Sequence, residues 1–343
     1  MNPKFDFKDI TLVPEVISSI NSRKEINPFN SNGFLPIMVS PMDTVVDDEN
    51  CEVFLNEKLE VCLPRGVYSS NQETFNSISL SDFEQVVTWY EDGSLESEKV
   101  KFLVDIANGH MLKLHELSEK FIKIRKSENH QIIVGNIANP KTFEKFCEIG
   151  VDYVRVGIGG GSGCLTSANT GVHYPMASLI SECYKIKKNG GYNTKIIADG
   201  GFRNYDDIIK ALALGADYVM LGGVLNKTLE SCSTTKLFNL ISLNQNSSKY
   251  IWDELPRLRK FLYKSFRGMS TKEVQIKWGK PKLTTSEGIS KTNKVEYTLS
   301  GWVENLEDYL RSAMSYTNSK SLEEFKESEY VFITQNALSR FNK

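Results

Sequence analysis

The chain has 343 residues, a formal net charge of -2 and a pI near 6.2. This length can bury one large core or two smaller ones, and the near-neutral charge gives no general attraction to nucleic acid or to an anionic membrane. No apolar stretch approaches the roughly 18 residues of a membrane span, and the first residues lack the order of a signal peptide, so we expect a cytoplasmic protein without nucleic-acid or membrane partners.

Short apolar strands alternate with helical patterns along most of the chain. Alternation of this kind favours βα units in a parallel sheet. Eight units favour a (β/α)8 TIM barrel over an open doubly wound sheet, and both place ligands at the C-terminal ends of the strands. Strands are predicted at residues 36–40, 59–63, 86–90, 102–106, 131–136, 152–156, 195–199 and 217–221, and helices at 112–126, 140–149, 174–189 and 206–214.

The pattern changes after the eighth predicted strand. Residues 244–300 are polar and rich in Lys, Ser, Thr and Asn. We interpret them as a flap or lid segment over the barrel mouth. An amphipathic stretch at residues 303–315 predicts the closing helix. The sequence thus predicts a single catalytic domain over residues 1–343.

A glycine-rich loop follows the sixth predicted strand. It has five glycines between Gly157 and Gly163, then Cys164 and, two residues later, Thr166. Glycine permits close backbone approach to a ligand, and free N–H groups in such a loop can hold an anion. Cys164 at its rim is a candidate nucleophile; the alternative is a flexible loop with a chance cysteine. The other five cysteines are scattered, which predicts neither a zinc site nor a disulfide framework.

Polar residues and glycines also follow other predicted strands. Asp105 and Asn108 end the fourth strand and Asp199 ends the seventh, where Gly201 follows. Asp199 can accept two hydrogen bonds from ribose hydroxyls, although a turn or helix-cap role is a serious alternative. A helix cap is equally open for Asp105.

Taken together, the motifs resemble those of the IMP dehydrogenase / GMP reductase family, from about residue 5 to about residue 335. The matching phrases are Phe7-Lys-Asp-Ile-Thr-Leu-Val-Pro14, Pro41-Met-Asp-Thr44, Asp105-Ile-Ala-Asn-Gly109, Gly135-Asn-Ile137, the Gly157–Ser162 loop with Cys164 and Thr166, Ala198-Asp-Gly-Gly201, Val219-Met-Leu-Gly-Gly223 and Gly268-Met-Ser270.

Within this family the chain resembles the GMP reductase branch. It has no room for the CBS pair usual in IMP dehydrogenases and no Arg-Tyr dipeptide in the flap region. Ser286-Glu-Gly288 and Val295-Glu-Tyr-Thr-Leu-Ser-Gly301 follow the reductase order. The resemblance implies reduction of GMP to IMP and ammonia with NADPH, in a homotetramer.

The resemblance also implies residue roles. Cys164 would form a covalent thioimidate at purine C2, and Thr166 with Glu287 would protonate the departing ammonia. Backbone carbonyls of Gly159, Gly161 and Cys164 would face a monovalent cation such as K+. The implied substrate contacts are Asp199 for the ribose, Ser162, Gly201, Gly222 and Gly223 for the phosphate, and Met269, Ser270, Ser286 and Gly288 for the base; Asp105 and Asn108 would lie near the nicotinamide.

Several positions depart from the family pattern. Gly160 replaces the usual proline and Gly163 an apolar residue, which predicts a less preorganised loop. Arg65 stands for a lysine or arginine of the family's second strand, and only residues 91–99 join predicted strands three and four, without a Gly-x-Gly turn. These departures leave three alternatives open: an IMP dehydrogenase that uses NAD to make XMP, a reductase for a related or deoxy purine nucleotide, and a purine-nucleotide-binding homologue without turnover.

Overall fold

A closed barrel of eight parallel strands forms the centre of the computed structural model, which describes residues 3–69, 71–94, 99–279 and 285–341. A short strand, β1 (Ile10–Leu12), lies outside the barrel. The barrel closes where β9 pairs with β2, and the predicted (β/α)8 TIM barrel is confirmed. Its strands are β2 (Ile37–Val39), β3 (Glu60–Leu63), β4 (Phe75–Ile78), β5 (Val100–Asp105), β6 (His130–Ile137), β7 (Tyr153–Val156), β8 (Lys195–Asp199) and β9 (Tyr218–Leu221).

Helices surround the barrel and alternate with most of its strands. Apolar side chains from the outer face of the strands and the inner face of the helices form the main core. No CBS-type domain interrupts the described part of the barrel. The helices that precede the lid are α1 (Cys51–Asn56), α2 (Leu80–Glu91), α3 (Leu112–Ile124), α4 (Pro140–Glu148), α5 (Thr166–Thr170), α6 (Met176–Gly190), α7 (Tyr205–Ala213) and α8 (Gly223–Asn226).

The prediction of a strand at residues 86–90 was wrong, because these residues lie in α2. Ser79 and Asp82 form a reciprocal capping box that begins this helix, which is a strong N-terminal signal. Its buried residues, Phe83, Val86, Val87 and Tyr90, recur at helical spacing. The third barrel strand is β4, so a full helix does follow it, and residues 95–98 of the supposed short connection lie outside the described residues.

Inside the barrel, alternate residues of each strand point to the axis. Leu103, Ile133, Tyr153 and Ile197 belong to this inner cluster. Two residues further along, toward the C-terminal end, the same faces carry Asp105, Gly135, Arg155 and Asp199. Because side chains alternate along a strand, charged side chains lie together at the C-terminal end of the barrel, above a layer of apolar side chains.

The segment after α8 forms an ordered antiparallel sheet. Its strands are β10 (Thr235–Leu237), β11 (Ile241–Leu243), β12 (Leu262–Arg267) and β13 (Ser290–Lys294), paired in the order β11-β10-β12-β13. Two helices, α9 (Gln245–Glu254) and α10 (Lys272–Lys277), accompany it. Residues 244–300 were predicted as a lid, but their polar composition did not predict this sheet. We call residues 235–294 the lid.

The C-terminal residues return to the barrel. The long helix α11 (Leu299–Tyr316) is the predicted closing helix, and α12 (Leu322–Phe325) follows it. Strand β14 (Tyr330–Phe332) pairs with β1, and α13 (Gln335–Phe341) ends the described chain. None of the described helices has the length and apolarity needed to cross a membrane.

Candidate active site

A cavity of about 490 Å³ opens at the C-terminal ends of the barrel strands. Its volume lies in the range typical of small-molecule sites. The barrel supplies the floor and one wall, and the lid supplies Phe266, Gly268, Met269, Ser270 and Glu287. Thirteen of the predicted site residues line it, namely Cys164, Thr166, Glu287, Asp199, Ser162, Gly201, Gly222, Gly223, Met269, Ser270, Asp105, Gly159 and Gly161.

Cys164, Thr166 and Glu287 form one hydrogen-bonded line. The Cys164 thiol donates to Thr166 Oγ1 at 3.2 Å. The Thr166 hydroxyl in turn donates to Glu287 Oε2. Thr166 is the first residue of α5, two positions after the cysteine. A proton can therefore move between a thiol and a carboxylate that are 123 residues apart in sequence.

Backbone pairing between the lid and the cysteine loop fixes this line. Leu165 N–H donates to the carbonyl of Glu287 at 2.6 Å, and Ile289 N–H donates to the carbonyl of Gly163 at 3.1 Å. Cys164 and Gly288 form an antiparallel β-bridge between them. The Glu287 side chain reaches Thr166 because this bridge and its two backbone hydrogen bonds hold the lid against the loop.

Gly163 and Gly268 explain how the lid approaches so closely. A Cβ on Gly268 would lie 2.3 Å from the Gly163 carbonyl oxygen, and a Cβ on Gly163 would lie 3.0 Å from the Phe266 ring. Gly160 packs against Gly200, where a Cβ would lie 3.3 Å from its carbonyl carbon. Gly160 and Gly163, which depart from the family pattern, thus lie where another part of the backbone approaches closely and leaves little room for a side chain.

Position in the cavity distinguishes Cys164 from the other five cysteines. All six are free thiols; four are buried, and Cys164 is half-exposed and lines the cavity. Burial raises the pKa of Cys62 and Cys183 far above the ordinary range, and it raises the pKa of Cys147 to about 11 and that of Cys232 to about 12. Thiols with raised pKa values stay protonated and are poor nucleophiles.

Arg155 is the functional residue that sequence reasoning missed. Its guanidinium bridges two carboxylates on the cavity floor: Nη1 donates to Asp105 Oδ1 at 2.9 Å and Nε to Asp199 Oδ2 at 3.0 Å. Residues 152–156 fit the pattern of an apolar buried strand, which left the charged side chain within it unconsidered. The available signal was strand alternation, which places Arg155 on the inward face with Tyr153.

Asp199 is held from two sides. Its Oδ2 also accepts a hydrogen bond from Asn136 Nδ2 at 2.7 Å, and this amide donates to the carbonyl of Gly157 at 2.9 Å. The carboxylate lies at the end of β8 and lines the cavity. Its position is therefore set by side chains of β6 and β7 rather than by a helix-cap contact.

Arg65 connects the barrel floor to the lid. Its Nε lies 3.6 Å from Asp105 Oδ2, and its guanidinium lies 4.6 Å from the centre of the Trp278 ring. Within the described part of the chain, the buried Nε has no hydrogen-bond acceptor. A buried donor without an acceptor beside a cavity suits a polar ligand group such as a carboxamide or a carbonyl.

The remaining predicted substrate residues fall into three groups. Ser162, Gly201, Gly222 and Gly223 line the cavity on the barrel side, where the Ser162 hydroxyl lies so close to Gly223 that a Cβ there would be 2.7 Å from it. Met269 and Ser270 line the lid side. Ser286 and Gly288 do not line the cavity; Ser286 Oγ donates to the Gly288 carbonyl at 2.9 Å.

Asn108 and the proposed cation ligands make contacts within the protein. Asn108 is exposed outside the cavity lining, and its Oδ1 accepts from His110 N–H at 3.1 Å. The Gly159 carbonyl accepts from Ser167 Oγ at 2.9 Å, and the Gly161 carbonyl accepts from Cys164 N–H at 2.9 Å. Among the described side chains, no group of three His, Cys, Asp or Glu could hold a metal ion.

Comparison with known proteins gives one family. A family model described as the IMP dehydrogenase / GMP reductase domain matches residues 93–341. GMP reductase of Caenorhabditis elegans is 28% identical in an alignment 362 positions long, which covers 97% of this chain and 93% of that protein. GMP reductase of Onchocerca volvulus is 30% identical (97% and 92% covered), and human GMP reductase 2 is 29% identical (97% and 95% covered). With most of its length matched, the chain belongs to the IMP dehydrogenase / GMP reductase family.

Proposed function

We propose that this protein is an oxidoreductase that reduces GMP to IMP and ammonia with NADPH. The hydrogen-bonded line from Cys164 through Thr166 to Glu287 carries the proposal, because it joins a nucleophile to a proton donor at a nucleotide-sized cavity. Relatives that cover nearly the whole chain and carry the name GMP reductase support the same reaction.

The thiol and the carboxylate can share one proton. The Cys164 proton passes through the Thr166 hydroxyl to Glu287, which leaves a thiolate at the cavity. The sulfur then forms a bond to purine C2. Glu287 returns the proton through Thr166 to the amino group, which leaves C2 as ammonia. The product of this half-reaction is a thioimidate, with the purine joined to Cys164.

A nicotinamide cofactor supplies the hydride that replaces sulfur at C2. The unsatisfied Nε of Arg65 and the Asp105 carboxylate fit its polar groups, since both line the cavity beside Trp278. The barrel holds the substrate through Asp199 at the ribose, while Ser162 and the neighbouring glycines offer polar groups to the phosphate. The Gly159 and Gly161 carbonyls each accept one hydrogen bond, which leaves a second lone pair on each oxygen for a monovalent cation, and we assign no step to that cation.

One absorbance assay tests the proposal. NADPH oxidation, followed at the nicotinamide band, should occur with GMP and release IMP and ammonia. Reduction of NAD with IMP, without NADPH oxidation by GMP, would assign the opposite redox direction instead. Binding of GMP without either reaction would leave a nucleotide-binding homologue.

Cys164→Ser should abolish turnover and preserve nucleotide binding. The serine hydroxyl is a far weaker nucleophile at neutral pH than a cysteine thiol, but the cavity keeps its shape. Calorimetry should show GMP affinity within a few-fold of wild type. Trapping by denaturation should recover a purine adduct from wild type and none from the variant, whereas Cys232→Ser should behave as wild type. Turnover by Cys164→Ser would contradict covalent catalysis.

A further inference from the structure

The Arg155 guanidinium lies between the two carboxylates at the centre of the cavity floor. It contacts Asp105 and Asp199 through different nitrogens, at 2.9 and 3.0 Å. The residue is 9% exposed, and the two carboxylates are 17% exposed. Three charges are thus fixed together where little water reaches them, so neither carboxylate can move far without breaking a contact to Arg155.

The barrel register explains how one side chain reaches both partners. Asp105 pairs with Gly135, and Gly135 pairs with Arg155, so the arginine must pass across the strand between them. A Cβ on Gly135 would lie 2.7 Å from the Arg155 Cβ. The absence of a side chain at Gly135 leaves the path open. On the other side, Arg155 pairs with Ile197, two residues before Asp199.

The charges favour this arrangement in the ionised form. Burial by itself disfavours the guanidinium cation, but the negative charges of Asp199 and Asp105 outweigh burial and raise the pKa of Arg155. Without the cation, two carboxylates would face each other in a poorly solvated floor, and their repulsion would favour displacement. Arg155 therefore keeps both groups in place.

We propose that Arg155 is a positioning residue that couples the nucleotide contact at Asp199 to the cofactor-facing carboxylate Asp105. Its planar, forked guanidinium holds both carboxylates at once, which a lysine ammonium on a flexible stem cannot do with the same geometry. The inference rests on the proposed function for the identity of the two ligands. Disturbing either end of the bridge alters the other.

Arg155→Lys tests the bridge, with Arg125→Lys as the matched control. Arg125 also forms a part-buried pair, with both oxygens of Asp152 at 2.7 and 2.8 Å, but at the opposite end of β7. We expect Arg155→Lys to raise the KM for GMP about 10-fold and to lower kcat/KM about 100-fold, since the lysine ammonium cannot keep both hydrogen bonds to the two carboxylates. Arg125→Lys should change neither quantity more than about two-fold.

Asp105→Asn supplies a second test that keeps Arg155 in place. Asp105 is not the proposed ribose contact, yet its substitution should raise the KM for GMP, because the Arg155 guanidinium then loses one of its two carboxylate partners. Combining it with Arg155→Lys should give less than the sum of the two effects. Additive effects, or an unchanged KM in Asp105→Asn, would overturn the proposal.

The inference and the proposed function fail in different ways. If wild type does not oxidise NADPH with GMP, the proposed function fails, and the bridge is then judged by calorimetric GMP binding in the same variants. If GMP does not bind either, crystal structures of wild type and Arg155→Lys decide. Displaced Asp105 and Asp199 carboxylates in the variant support the bridge, and carboxylates in their wild-type positions overturn it.

Discussion

At the scale of single residues, the Thr166 hydroxyl is the centre of the site. The hydroxyl accepts a hydrogen bond from the Cys164 thiol and donates one to the Glu287 carboxylate. Both hydrogen bonds therefore point from the thiol toward the carboxylate. A hydroxyl placed between two groups that exchange a proton does not itself need to change charge. The thiol and the carboxylate can then act in opposite phases of the same turnover, one releasing the proton and the other returning it.

Glu287→Gln should slow turnover by about 10²–10⁴-fold, the usual contribution of a positioned acid or base. The amide keeps the size of the side chain but cannot carry the proton. Steady-state NADPH oxidation measures the effect, and GMP binding by calorimetry should stay within a few-fold of wild type.

Glu273→Gln is the control for this substitution. Glu273 lies on the same lid and is exposed, with only a 3.3 Å contact to Arg267. It should keep wild-type rates. Equal rates in both glutamine variants would remove Glu287 from the chemistry.

At the scale of elements, the site depends on backbone pairing between the lid and the cysteine loop across the Cys164–Gly288 β-bridge. Gly268 N–H donates to the Ile289 carbonyl at 3.0 Å, and Ile289 N–H donates to the Gly163 carbonyl at 3.1 Å. Backbone hydrogen bonds through Ile289 thus connect two segments of the lid, around Gly268 and Ile289, to the cysteine loop at Gly163. The contact between Glu287 and Thr166 depends on this backbone spacing.

Gly268→Ala should separate the lid from the loop. The new Cβ would lie 2.3 Å from the Gly163 carbonyl oxygen, a backbone atom that cannot move aside as a flexible side chain does. We expect kcat/KM to fall at least about 10-fold, because small displacements of catalytic groups cost that much or more. Circular dichroism should show an intact barrel.

Gly301→Ala serves as the control. It lies within α11, where its Cβ would meet only the Thr298 hydroxyl at 3.1 Å. Its activity should match that of wild type. If Gly268→Ala also keeps full activity, the close approach of the lid is not needed for catalysis.

The sequence predicted most of the barrel strands, but it did not predict Arg155 in the cavity or the sheet of the lid. Seven barrel strands follow from local patterns, and the proposed roles of Cys164, Thr166 and Glu287 follow from the resemblance of collinear motifs. The strand prediction at Val86–Tyr90 failed because a short apolar run fits either a strand or one face of a helix, and the Ser79 capping box was overlooked. Arg155 escaped because its role depends on which strands are neighbours. The lid sheet depends on pairings between segments with no alternating hydrophobic pattern.

At the scale of the whole molecule, buried charges join the lid to the barrel. Asp43 follows the first barrel strand and pairs with Arg267 of the lid at 2.6 Å. Burial alone would raise the pKa of Asp43, but Arg267 and Lys277 hold it below its usual value. Lys264, on β12, is fully buried and donates to the carbonyls of Leu229 and Ser231. The lid is therefore attached to the rest of the molecule through Arg267 and Lys264 as well as at the cysteine loop.

Lys264 gives the molecule a characteristic alkaline pH dependence. Burial lowers its pKa from 10.5 to about 8. Between these values the unfolded chain still binds the proton and the folded chain does not, so the free energy of unfolding rises with pH. Relative to Lys264→Met, wild type should gain on the order of 1–3 kcal/mol between pH 8 and 10.5. Urea unfolding at stepped pH measures this difference, and parallel curves for the two proteins would show that Lys264 does not titrate there.

The division of the site between barrel and lid has a consequence for how such an enzyme can evolve. The thiol belongs to the barrel, whereas the carboxylate that we propose protonates the leaving group belongs to a segment joined to that barrel by a few backbone hydrogen bonds and ion pairs. Under the proposed mechanism, changes in the lid can replace the leaving-group chemistry while the barrel continues to bind the same purine. New reactions become accessible by exchanging one modular part, without rebuilding the scaffold that recognises the nucleotide.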